Sequence, residues 1–549
     1  MPVSKQDSYD YIVVGAGSAG CPVATRLSEN PDISVLLLEA GPVDKSLLLK
    51  IPGASIHEYN SARHNWMYYT EPDPQMHDQR VFCPRGKVLG GSSSINGCAF
   101  VRGHARDFDN WANQGLPAWS YAHCLPYFKR LETFSGGGDD YRGDGGPLQV
   151  TAPLHLNPLY DIFLEACQQA GFALSKDTNG YRQEGFGPMD QSIHDGRRSS
   201  TSAAYLKPAR RRPNLHVKTG VHVARILISD KIVLGVEALV NNRPVKWYAG
   251  EEVILSAGAV NSPQLLLLSG IGPTKPLRRL RIPVKADLPG VGLNLQDHWG
   301  VSVQQECTRP LSSNQELTRL GSVKNGLRWL LFNDGPAATN QSEIAGYIRN
   351  TSTQVPDLQI GFMPVAFDYE RMRAIAAHGF RLSGMPLRPT SRGCIELKSS
   401  DPLDAPAITC NYLASQRDRN DYLDLIRISR ELIAQPAFDG VRGKELEPGS
   451  GKATAPELLD FVKFFGKAMH HLCGSCKMGL DEMAVVDEQL RVYGVDGLRV
   501  IDASIMPKIT SGNTNAPSIM IGEKGADLLA GRKPLPPLDV PVYKPSELR

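Results

Sequence analysis

Apolar and polar positions change rhythm several times along the chain, and each change predicts an element. Residues 9–14 are mostly apolar and β-branched, and they stop at Gly15-Ala-Gly17-Ser-Ala-Gly20, after which a helical pattern runs to Leu27. That order predicts a buried strand, a tight turn and a helix. A second apolar run, 34–38, closes on Glu39, 19 residues beyond Gly20. The segment that follows has no clear period, and its densest glycine and serine stretch is GKVLGGSSSING at 86–97. Such a loop lets backbone approach a ligand closely.

After a polar, glycine-rich stretch at 135–146, alternation at Leu148 and Val150 and a helix over 159–170 are expected. Loose alternation over 215–228 suits antiparallel strands, and 252–258 reads as a buried strand meeting Gly258, with Pro263 opening a helix that ends at Leu268. From 306 to 470 the segments are longer and more mixed. An amphipathic helix is expected over 421–435, with Leu425, Ile428 and Leu432 on one face before Pro436. Another strand ends at Asp502, and a helix follows Asn515-Ala-Pro517 to Leu529. The closing PLPPLDVPVYKPSELR shows no core pattern.

The fold class this predicts is α/β plus α+β, a Rossmann-like dinucleotide unit beside a second unit built on an antiparallel sheet flanked by helices. The expected boundaries are 1–159, 200–305 and 472–532 for the first unit, 160–199 and 306–471 for the second, and 533–549 for a proline-rich tail. A length of 549 residues suits two or three domains. The balance of 60 basic against 57 acidic side chains weighs against nucleic acid as a partner. No apolar run is long enough to span a bilayer, the start of the chain lacks a signal-like apolar stretch, and the ten cysteines are scattered. The expectation is a cytoplasmic protein with reduced thiols. Contact with the inner face of the membrane and the oligomeric state stay open.

Three clusters carry candidate chemistry. In the first, Gly15 permits the turn, Gly17 lets backbone meet a pyrophosphate, Gly20 allows close helix packing, and Glu39 is placed for ribose hydroxyls. This predicts a dinucleotide without choosing FAD or NAD. In the second, His470-His471-Leu-Cys473-Gly-Ser475-Cys476, the CxxC has no second pair to complete a structural zinc site, so no metal is assigned. The residues alone do not say which histidine matters. In the third, 507–517, Asn515 reads as an N-cap with Pro517 in the first turn, and the positive helix end suits an anion. The stretch around Lys452 fails as a P-loop, and neither GxSxG nor HExxH occurs.

Together the GAGSAG and LLLEAG segments, GKVLGGSSSINGCAF at 86–100, GAVNSPQLLLLSGIG at 258–272, HLCGSCKMG from His471 and DASIMPKITSGNTNAPSIMIGEK from Asp502 resemble the glucose-methanol-choline (GMC) oxidoreductases. The resemblance runs over nearly the whole chain. It implies FAD in the first unit and substrate in the second. Glu39 would meet the adenosine ribose, Val223 the adenine, and Asn96, Gly97, Cys98 and Ala99 the isoalloxazine. Asp502 and Ala503 would lie near the pyrophosphate and ribityl chain. The resemblance adds Ser18, Ala19, Ala40, Trp66, Val88 and Gly90 to the cofactor set. Ile95 stands where some relatives carry a flavin-linking histidine, which implies noncovalent FAD.

His471 falls on the family's active-site histidine in its HxxG[ST]xxMG motif. Counting seven residues back from Gly522 puts Asn515 at the second catalytic position, with Asn513 as the competing alignment. The implied reaction oxidises a primary alcohol to an aldehyde. His471 takes the hydroxyl proton, Asn515 hydrogen-bonds the alkoxide, and electrons pass to oxygen or a quinone-type acceptor. The flavin-facing half is most similar to choline-oxidising members, for which Glu343 would be the carboxylate facing a trimethylammonium group. A flavin-containing, non-redox lyase of the hydroxynitrile-lyase kind is the alternative on the same fold.

Overall fold

The computed structural model describes residues 8–153, 157–350, 354–368 and 373–545. Residues 1–7 of the expected first unit and 546–549 of the expected tail lie outside the described residues. The strand Ser8–Val14 lies between two parallel neighbours, Val35–Glu39 and Arg243–Leu255, with Val14 opposite both Leu38 and Leu255. Its last four residues are buried, which explains the lack of polar alternation there. Leu215–Thr219, expected to be antiparallel, instead extends the sheet in parallel beyond Val35–Glu39. The 13-residue strand Arg243–Leu255 serves two neighbourhoods: its start pairs antiparallel with Ile232–Val240, and its end pairs parallel with Leu498–Val500. Val221–Ser229 completes the antiparallel edge.

The second sheet is antiparallel, in the order Arg442–Glu447, Trp299–Cys307, Gly379–Pro386, Leu358–Met363, Ile344–Ile348, Gly185–Pro188. Its period of two separates core from cavity. Leu358, Ile360, Phe362, Phe380 and Leu382 enter a core with Leu425, Ile428 and Leu432 of the helix Gln416–Ile433. The intervening Gln359, Gly361, Met363, Arg381 and Ser383 face the first unit.

Four further expectations change. The helix expected at 421 begins at Gln416, because Ser415 Oγ accepts from Asp418 N at 3.0 Å and caps it. The helix expected to open at Pro263 begins at Gly258, where the Asp502 carboxylate accepts from Gly258 N at 2.9 Å. Pro263 then sits inside it and withholds a donor from the carbonyl four residues back. Ser475 Oγ donates to that Ala259 carbonyl instead, at 2.5 Å. The boundary at 305/306 would cut Trp299–Cys307, which pairs within the second sheet from Trp299 onward, so we place the division before residue 299. Finally, the tail is not without core contact: Leu535, Leu538, Val540 and Val542 pack on the first core, and Leu538 N donates to Ala122 O. An extended proline-rich strap can bury side chains without a strand partner.

Candidate active site

A cavity of about 850 Å³ lies between the two sheets. Its nucleotide end is built from the glycine turn. Gly15 takes φ +101°, and a Cβ on Gly20 would stand 1.9 Å from Gly15 O, so that pair of glycines closes the turn on the helix. A Cβ on Gly17 would meet nothing nearer than 3.9 Å, which leaves its backbone open to the cavity. The helix Gly20–Leu27 has no side-chain cap, so its positive end faces the same space. Ser18, Ala19, Glu39, Ala40 and Val223 complete this end.

Glu39 has a second duty there. Its two carboxylate oxygens accept from Ala16 N at 3.0 Å and Gly41 N at 2.8 Å, stitching the second strand to the turn, and burial lifts its pKa to about 7. Asp502 does the corresponding work lower in the wall, accepting from Gly258 N, Ser262 Oγ and Ser504 N, beside Ala503. Burial raises its pKa. Asn96, Gly97 and Ala99 line the middle of the cavity, with Ile95 and Trp66. Arg198, which sequence reasoning missed, fixes that loop by donating to Asn96 O at 2.5 Å and Asn96 Oδ1 at 2.8 Å.

Five predicted residues do not form the wall. Gly20 packs against Gly15 behind it, and Gly90, at φ +87°, donates its N–H to Ala16 O. Val88 is buried with Leu49 and Ile95, and Cys98 turns its carbonyl to Ser192 N. Their contribution is to the shape of the loop behind the cavity. Glu343 also departs from expectation. Its neighbours Gln341 and Ser342 line the cavity, while its own Oε1 accepts from Thr339 Oγ1 at 2.8 Å and its Oε2 is buried with no hydrogen-bond partner among the described residues.

At the opposite end His471 is held by four segments. Its backbone N–H donates to Asp297 Oδ1 at 2.6 Å, and Tyr412 Oη donates to Asp297 Oδ2 at 2.7 Å. Burial pushes the Asp297 pKa up to about 6. The ring nitrogens then form a chain whose hydrogens can be assigned. His298 Nε2 is 3.1 Å from Leu387 O, which can only accept, so that nitrogen carries hydrogen and Nδ1 of the neutral ring accepts. His471 Nδ1 lies 2.9 Å from His298 Nδ1 and is therefore the donor. His471 Nε2 keeps its lone pair and accepts from Asn513 Nδ2 at 2.9 Å.

Asn515, expected beside His471, does not meet it. It is the first residue of the helix Asn515–Leu529, and its Oδ1 accepts from Ser18 Oγ at 2.8 Å, joining that helix to the nucleotide turn. Asn513 precedes the helix and turns the other way. His470 is set apart by a left-handed backbone, φ +66°, with its ring edge-on to Tyr59 and its carbonyl held by Arg85. Burial lowers the pKa of His471 well below its ordinary 6.5, and the rings of His298 and His470 and the Arg85 guanidinium act in the same direction. His298 falls to about 4 and His470 to about 3, chiefly through burial. All three rings are neutral at physiological pH.

The cavity suits FAD on the chain's own geometry. It runs from an open glycine backbone and an uncapped helix end to a neutral imidazole. Near His471 the buried Asn513 Oδ1, Gln359 Oε1 and His470 Nδ1 line it with no partner among the described residues. No group of three or more metal-ligating side chains occurs among the described residues.

Two family models described as GMC oxidoreductase match residues 9–300 and 389–522. An oxygen-dependent choline dehydrogenase of Vibrio vulnificus is 47% identical over 97% of this chain and 96% of its own. Among solved structures, pyridoxine 4-oxidase from Mesorbium loti superposes with a TM-score of 0.87 at 32% identity, covering 96% of this chain and 100% of that one. A formate oxidase variant from Aspergillus oryzae gives 0.90 at 27%, covering 96% and 98%.

Proposed function

This chain belongs to the GMC oxidoreductase family, and from that premise we propose that it oxidises a neutral primary alcohol to its aldehyde, with His471 as base and Asn513 as its partner. It is an FAD-dependent oxidoreductase acting on CH–OH donors. Gly15, Gly17, Ser18, Ala19 and Glu39 would hold the nucleotide, with Asp502 and Ala503 along the wall. FAD supplies the hydride acceptor when bound.

The chain's own residues supply the proton chemistry. An alcohol gives up hydride readily once its hydroxyl proton has gone, and His471 Nε2 is the lone pair available to take it. The amide of Asn513, already pointed at that nitrogen, would donate to the oxygen as negative charge grows there. His298 holds the donor hydrogen of His471 on Nδ1 and so keeps Nε2 basic. Asp297 fixes the backbone beneath the ring. The observation that carries this reading is the chain from Leu387 O through His298 and His471 to Asn513, which leaves one tautomer for the base.

The substrate class rests on charge. Among the described residues lining the cavity the carboxylates are Glu39 and Asp502, both assigned to the cofactor, while Arg85, Arg381 and Lys467 line it elsewhere. Glu343 is not part of that lining, and one of its carboxylate oxygens accepts from Thr339 Oγ1. That wall favours a neutral alcohol over a quaternary ammonium. Choline is the second reading, supported by the 47% identical relative named for it. An anaerobic absorbance titration of the holoprotein with choline, benzyl alcohol, furfuryl alcohol and short alkanols tests both: a neutral alcohol should bleach the flavin at lower concentration than choline. A flavin bleached by none of them would favour the lyase reading. We also propose that FAD is noncovalent and that oxygen or a quinone-type carrier takes the electrons; acid precipitation should release the yellow colour into the supernatant.

A further inference from the structure

The helix Arg319–Phe332 is amphipathic the wrong way round for a core helix. Its one buried residue is Trp329, packed with Ile51 and Ala54 and donating Nε1–H to Gly196 O at 2.6 Å. Leu320, Val323, Leu327 and Leu331 recur at helical spacing on the opposite side and are 85%, 62%, 56% and 73% exposed, with Leu330 beside them at 53%. At 100° per residue, Lys324 and Arg328 flank this stripe on one side and Arg319 on the other. The helix contains no acid; the neighbouring Asp334 pairs with Arg328 at 2.6 Å. Monomers rarely expose so continuous an apolar surface without a partner.

We infer that this helix docks the enzyme on an anionic phospholipid surface, lying in the headgroup plane with its leucine stripe inserted. At 14 residues the helix is about 21 Å long, and its charges suit an interfacial position. No helix among the described residues is long and apolar enough to cross a membrane. Charge selects lipid over a second copy of the chain: stripe against stripe would bring Arg319 and Lys324 close to their own counterparts with no acid on the helix to answer them. Anionic headgroups answer Arg319 and Lys324, which have no acid beside them on the helix. The helix also borders the cavity, because Leu317, just before it, and Pro52 and Gly53, beside the Trp329 contact, belong to the wall. If the alcohol oxidation proposed above holds, the docked face places the cavity next to lipid-dissolved acceptor.

The test needs no turnover, so it stands or falls apart from the proposed reaction. Holoenzyme is sedimented with vesicles of phosphatidylglycerol mixed into phosphatidylcholine, and with phosphatidylcholine alone. Binding should require phosphatidylglycerol, weaken with added salt, and fall by about tenfold or more in L327S/L331S, since each buried CH2 removed weakens insertion. Arg319→Glu with Lys324→Glu should reduce binding while leaving the flavin spectrum intact. Leu320→Ser, at the most exposed position, serves if the double serine variant fails to fold. Three results would overturn the inference: no binding of wild type to anionic vesicles, equal binding by the serine variants, or a wild-type dimer in sedimentation velocity that those variants convert to monomer.

Discussion

The two ends of the cavity are assembled differently. At the nucleotide end the contacts that Glu39 makes to the turn are local: Ala16 and Glu39 are 23 positions apart, and Glu39 and Gly41 only two, with Ser18–Asn515 added from far along the chain. Backbone geometry does most of the work, through glycines and an uncapped helix. At the other end His471 meets His298, 173 positions away, and Asn513, 42 away, and His298 reaches Leu387 across 89. There side-chain nitrogens do the work, and burial keeps them neutral. A local motif can be built early and reused; a long-range relay exists only when both sheets are in place. On our proposal the first end binds and the second reacts.

That division predicts which changes separate binding from chemistry. His471→Ala should slow anaerobic flavin reduction by about 100- to 10,000-fold while the protein stays yellow; a colourless variant would mean that the two ends are not separable. His298→Leu removes the acceptor for His471 Nδ1–H and should cost about 100-fold through misplacement of the base. His298→Asn, which restores an acceptor oxygen, should recover part of that loss, whereas a purely packing role would favour Leu over Asn. The pH profile comes next in size. Because the His471 pKa lies well below 6.5, the base is neutral above that value, so the reduction rate should stay level from neutral to alkaline pH and decline only well below 6.5. A decline centred near 6.5 would mean that burial does not control this ring. The smallest effect belongs to Ser475→Ala, which strands the Ala259 carbonyl opposite Pro263. It should lower stability by about 1–3 kcal/mol, read as a drop in melting temperature, with little change in reduction rate.

The same contrast explains how much was legible in the sequence. The glycine turn, Glu39 and the helix Gly20–Leu27 follow from patterns within forty residues, and the structure has them there. The strands of the second sheet were not legible in the mixed pattern between 306 and 470, and the contacts of Glu343 depend on partners across Gly185–Pro188 and Leu358–Met363. His298 sits in an unremarked Gln296-Asp297-His298 triplet whose meaning comes only from partners far along the chain. Asn513 and Asn515 are two residues apart, and counting from Gly522 selects the second. The helix start separates them in space: as first helical residue Asn515 projects toward Ser18, and Asn513, still in the preceding turn, reaches His471, which is why our proposal takes Asn513.

That pair offers the most direct test of the central claim, that Asn513 and His471 form the reacting pair. Asn513→Ala and Asn515→Ala should be compared by stopped-flow anaerobic reduction with whichever alcohol bleaches the wild type. The account predicts a loss of about 100- to 1000-fold for Asn513→Ala, the cost of removing a donor aimed at developing negative charge, and a much smaller loss for Asn515→Ala. The reverse order, with Asn513→Ala near wild type, would contradict it.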